Sequence, residues 1–160
     1  MGPVARRPVA WVAAIVLLVE AVGIVFLNWF LGLVVDRQDM SLAGLDPRAM
    51  SVGAWVAGGV FGIYLLLCAF FLARAASTDR APGGFGRILL ISAAVVHGLL
   101  GAFSIGLVGW LAFVAMMVVL ALIVLTLVAY DRRENGAQDA DRQDNGGAAV
   151  PPSAPEPTTP

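Results

Sequence analysis

Two residues of this chain carry ionisable groups where none are expected. The stretch "ILLISAAVVHGLLGAFSIGLVGW", Ile88 to Trp110, has one ionisable residue, His97, the single histidine of the protein. Glu20 is the only ionisable residue between Val9 and Val35. A charge at the centre of a bilayer costs about 2.5 to 3.5 kcal/mol on insertion scales, so such side chains face protein or water. His97 follows Arg87 by ten residues and Glu20 follows Val9 by eleven, which puts both roughly 15 Å into an apolar helix. If they meet, the chemistry open to them is a proton relay or a site for a polar headgroup. The simpler role is a buried contact that fixes helix register, worth about 0.6 kcal/mol on average and up to about 1.7.

Helical spacing turns His97 towards other helices. Ala93, Ala94, His97, Gly101 and Ser104 recur at steps of three and four and form one small-residue stripe. On the first apolar segment Glu20 shares a face with Ala13, Val16 and Gly23, and Asn28 lies further round the axis. Tyr64 reaches a similar depth, ten residues before Arg74, but sits away from the small ridge of its own segment. It is the weaker member of the set.

The elements that must position these groups follow from composition. Of 160 residues, 59% are hydrophobic and 13% charged, too few charges to cover a soluble domain of this size. Runs of about 20 apolar residues match a hydrocarbon core of about 30 Å. The expected architecture is an all-α membrane protein, a four-helix up-down bundle with spans at about 9–35, 52–73, 88–105 and 111–130. Residues 1–8 precede it and a disordered tail covers 131–160. The first span is longer than a perpendicular crossing needs, so it tilts or emerges from the bilayer. It is too long for a signal peptide and lacks a small-x-small cleavage site.

Arginine placement orients the bundle. Arg6, Arg7, Arg74, Arg80, Arg87, Arg132, Arg133 and Arg142 fall on one side, against Arg37 and Arg48 on the other. The positive-inside bias puts both termini in the cytoplasm of a plasma-membrane protein. Trp11, Trp29, Trp55 and Trp110 lie towards helix ends, as interfacial residues do. "GLVGW" fits a tight uncharged hairpin, and "LDPRAM" reads as a helix start with Asp46 as N-cap and Pro47 in the first turn. The arginines of "ARAASTDRAPGGFGR" are read as anchors to anionic headgroups. After Tyr130 large apolar residues vanish, which predicts disorder, and the polar "PPSAPEP" near the end reads as a solvated tail.

Catalytic patterns do not emerge. The sequence has no Gly-rich phosphate loop, no HExxH and no nucleophile elbow. Ser92 and Ser104 read as packing residues. Cys68 is alone, so no disulfide or cysteine-rich metal site forms within the chain. Asp36, Asp39 and Asp46 lack the dense spacing of a calcium loop. No cofactor and no metal are expected. A net charge of −1 excludes a strongly basic nucleic-acid binder, which leaves the bilayer, another membrane protein or a second copy as partners. Gly58 and Gly62, with the Ala94, Gly98 and Ala102 ridge and Gly101, are the candidate helix-packing surfaces.

"FLNWFLGLVVDRQDMSLAGLDP" together with "GFGRILLISAAVVHGLLGAFSIGLVGW" resembles the small four-span integral membrane proteins of actinobacteria. The resemblance covers about residues 8 to 131. It implies a plasma-membrane location in a lysine-poor bacterium and carries over no activity and no site residues. Two functions remain: a non-enzymatic accessory or scaffold component of the cell envelope acting through helix–helix contacts, and a small transporter or proton-coupled subunit using Glu20 and His97.

Overall fold

The computed structural model describes residues 6–38, Gly44 and residues 46–146. Four helices account for almost all of them: α1 (Arg6–Gln38), α2 (Pro47–Thr78), α3 (Gly84–Leu107) and α4 (Trp110–Gly146). Each is long and apolar enough to cross a membrane. The chain is therefore an all-α, multi-pass membrane protein.

Every helix extends past the hydrophobic run that announces it. Hydropathy marks where a segment prefers lipid, whereas a helix already nucleated propagates at little cost through any residue of good propensity. Thus α1 begins at Arg6 and accommodates Pro8 in its first turn, where backbone N–H groups have no helical partner in any case. The largest difference is at α4, which carries on from Tyr130 to Gly146 through the polar segment expected to be disordered. The remainder of that expected tail, 147–160, lies outside the described residues, as do 1–5 of the N-terminal segment.

The turns follow their local chemistry. Asp46 caps α2 by accepting the Arg48 N–H at 2.9 Å, with Pro47 in the first turn. Between α3 and α4 the chain reverses at Val108 and Gly109, and Gly109 takes φ 117°, a value glycine adopts without strain. The Val108 and Gly109 N–H groups close α3 on the Ser104 carbonyl at 3.0 and 2.8 Å.

Neighbours in sequence are neighbours around the bundle, with α4 closing back onto α1, so α1 faces α3 and α2 faces α4 across its diagonals. The α1–α2 seam is the most intimate. Gly58 leaves room only for Asn28, Gly62 only for Val25, and the Trp55 ring lies over Gly32. The Trp55 indole also donates to the Trp29 carbonyl at 3.1 Å. One apolar core, built on Ala13, Leu17, Ala21, Leu65, Cys68, Leu72, Leu90, Ala93 and Ile123, runs through all four helices. A smaller cluster of Ala10, Ala75, Ala76 and Tyr130 closes the arginine-rich end.

Candidate functional site

Because α1 and α3 face each other across a diagonal, only long side chains can join them. Glu20 and His97 do so. His97 Nε2 lies 3.0 Å from Glu20 Oε2, with the imidazole 1% exposed and the glutamate side chain 22% exposed. His97 is flanked on its own helix by buried Ala93 and Gly101, the stripe that its spacing announces; Ala94 and Ser104 sit at the edges of that stripe. Glu20 stands beside the buried α1 row of Ala13, Leu17 and Ala21. Gly23, expected on its face, is exposed and has open space around it.

The second ring nitrogen settles what the pair holds. His97 Nδ1 is 2.7 Å from the Ala93 carbonyl, which can only accept, so Nδ1 carries a proton. The Nε2–Oε2 contact then holds one further proton, on nitrogen as an imidazolium–carboxylate pair or on oxygen as an imidazole and a carboxylic acid. Both arrangements are neutral overall, which is the form that a low-dielectric interior tolerates. Moving that proton by about one bond length converts one arrangement into the other, with no change in net charge.

Tyr64 does not join this pair. Its hydroxyl lies 2.8 Å from Ser92 Oγ and links α2 to α3. Ser92 already donates to the Leu89 carbonyl at 2.7 Å, so Tyr64 is the donor in that link. The two hydroxyls line a lateral cleft of about 800 Å³ between α2 and α3, floored by Ile24 and Asn28 of α1. Asn28 donates to the Ile24 carbonyl at 2.9 Å. Sequence alone presents Ser92 as a packing residue; its link to Tyr64 depends on how α2 and α3 are rotated, and neither segment encodes that by itself.

The second diagonal is crossed at the arginine-rich end. Tyr130, 1% exposed, donates from its hydroxyl to the Ala75 carbonyl at 3.1 Å. Arg7 donates to the Ala76 and Ser77 carbonyls at 3.1 and 3.4 Å. Helix α2 therefore ends with carbonyls satisfied by α4 and α1. Nothing in the sequence singled out Tyr130, whose position at the edge of the last apolar run resembles an interfacial tyrosine.

The small-residue surfaces divide. Gly58 and Gly62 are buried in the α1–α2 seam, and Gly101 is covered by Met117 and Met116 of α4. Ala94 and Gly98 instead line a groove of about 470 Å³ on the outer face of the α3–α4 hairpin, and Ala102 is exposed beyond it. Among the described residues no three His, Cys, Asp or Glu side chains are placed to share a metal ion. Asp39 lies outside the described residues. No family model, curated protein or solved structure matches the chain.

Proposed function

We propose that this protein is a non-enzymatic accessory or scaffold component of a bacterial plasma membrane, acting through contacts between its α3–α4 face and another membrane helix. Both termini are on the cytoplasmic side in this reading, following the arginine bias. The observation that carries it is the fate of the small residues. Gly58, Gly62 and Gly101 are taken up by packing within the bundle, whereas Ala94 and Gly98, which touch the core and Leu120 on one side, also line a groove on the outer face of the α3–α4 hairpin. That groove is rimmed by Ile91, Val95, Val124 and Val128. Small residues at such a surface let a second backbone approach closely, and close packing is what drives helix association where no hydrophobic effect operates. The resemblance to small four-span proteins of actinobacteria is consistent with this location.

In-cell crosslinking with mass spectrometry tests it. The wild-type chain is expected to recover a stoichiometric membrane partner or a second copy, and Ala94→Phe, which fills the groove, is expected to lose it at unchanged abundance. An identical crosslinking pattern for the variant would rule out this face.

A second reading rests on the diagonal pair: a proton-coupled subunit in which Glu20 and His97 exchange the proton held between Nε2 and Oε2. Glu20→Gln separates the readings sharply. Its amide can still donate to His97 Nε2, so the fold survives, but it holds no transferable carboxyl proton. Proton-coupled activity in the wild type that vanishes in a stable Glu20→Gln variant would favour this reading.

A further inference from the structure

The two helix ends that meet in the α2–α3 connection are treated unequally. The C-terminal carbonyls of α2 receive the Arg7 guanidinium and the Tyr130 hydroxyl. The N-terminus of α3, a positive dipole end, begins at Gly83 with no side-chain cap and no acidic residue in its first turn. Beside it lies a cavity of about 450 Å³ lined by Arg74, Arg80, Phe70, Phe71 and Gly83 among others. Arg87 is occupied by Asp131 at 2.6 Å, but Arg74 and Arg80 have no carboxylate partner among the described residues. Asp79, the residue that ends α2 in a left-handed conformation, does not line the cavity.

From this we infer that the cavity binds one anionic phospholipid, its phosphate held by Arg74 and Arg80 at the α3 N-terminus and its chain against Phe70. The chemistry selects each part. Arg74 and Arg80 line one cavity together with Gly83, the residue that precedes α3, and the planar fork of arginine matches phosphate oxygens. Phe70 belongs to the apolar span and is 57% exposed one turn before Arg74. The site therefore straddles the boundary between hydrocarbon and water, which a soluble anion would not require. This is a defined, stoichiometric site, distinct from a diffuse attraction of arginines to the membrane surface. It depends only on the helices crossing a bilayer and is independent of the partner proposed for α3–α4.

The test uses the full-length chain in phosphatidylcholine nanodiscs with a minor fraction of phosphatidylglycerol, released for native mass spectrometry. One phosphatidylglycerol per chain should be retained in preference to phosphatidylcholine. Surface attraction alone contributes about fivefold in affinity per arginine, so Arg74→Gln with Arg80→Gln should lower retention by at least about twenty-five-fold. Both side chains are exposed, so helicity and thermal midpoint should not move. Arg37→Gln with Arg48→Gln, at the other end of the bundle, should leave retention unchanged. Equal retention of the two lipids, or an unaffected double variant, would overturn the site. Displacement of the lipid by glycerol phosphate as readily as by intact phosphatidylglycerol would overturn the lipid and leave a soluble phosphate ligand in its place.

Discussion

The α1–α2 seam and the α1–α3 diagonal join the same helix to two different partners by opposite means. The seam relies on missing atoms: Gly58, Gly62 and Gly32 bring backbones together until Asn28, Val25 and Trp55 fill the space. The diagonal relies on added atoms, with Glu20 and His97 meeting across a distance that backbones do not close. A seam of the first kind has one arrangement, because any larger side chain must push the helices apart. A contact of the second kind has at least two, because its proton and its rotamers can change while the helices stay in place. The α1–α2 hairpin is thus the fixed part of the bundle, and the diagonal is where change of state is cheapest.

The sharpest way to break that contrast is at adjacent glycines. A Cβ at Gly58 would run into Asn28 Cβ, an atom close to the backbone that cannot swing aside, whereas a Cβ at Gly59 meets nothing within 4 Å. Gly58→Leu should therefore destabilise the bundle by about 3 kcal/mol, at the upper end of overpacking costs. Gly59→Leu should change stability by no more than about 0.5 kcal/mol, because the added side chain enters open space. Denaturant unfolding in mixed micelles reads both. Equal effects would mean that the seam is less rigid than its geometry implies.

The diagonal should respond to chemistry more than to size. Glu20→Leu removes the partner of His97 Nε2 and leaves a buried ring nitrogen unsatisfied, a loss of about 1 to 3 kcal/mol. Glu20→Gln restores a donor to that nitrogen and should cost about 0.6 kcal/mol or less, the average for an interhelical hydrogen bond. The same unfolding experiment, run on Glu20→Leu, Glu20→Gln, His97→Leu and the double leucine variant, isolates the coupling between the two groups. Indistinguishable Leu and Gln variants at position 20 would show that the contact contributes nothing to the fold.

How much of this was legible beforehand depends on which geometry each feature needs. The four spans were readable because hydropathy and the bilayer thickness are one-dimensional quantities. The matching depth of Glu20 and His97 came from counting residues inward from the same end, and the stripe of Ala93, His97 and Gly101 came from helical period alone. Whether the pair touches needed the order of helices around the bundle, which no single segment encodes. The same missing dimension hid the Tyr64–Ser92 link and the placement of Asn28 against Gly58. Helix ends lie beyond the spans for another reason: the polar run after Tyr130 has no lipid signal, yet arginine, alanine and glutamine are adequate helix formers once α4 has started.

Tyr130 sharpens the comparison at the smallest scale, since it crosses the other diagonal with a single hydroxyl. Its acceptor, the Ala75 carbonyl, belongs to the last turn of α2 and has two lone pairs with which to accept. Tyr130→Phe keeps the ring packed among Ala10, Ala75 and Ala76 and removes the hydroxyl that donates to the Ala75 carbonyl. The expected loss is about 1 kcal/mol, the net value of one hydrogen bond, visible as a modest drop in thermal midpoint. Because the acceptor is backbone and the donor does not change charge, this diagonal has no second state to adopt. If Tyr130→Phe proved as costly as Glu20→Leu, the arginine-rich end would anchor the bundle as firmly as its centre does. A loss near 1 kcal/mol instead leaves the Glu20–His97 contact as the stronger of the two crossings and the one able to change its proton.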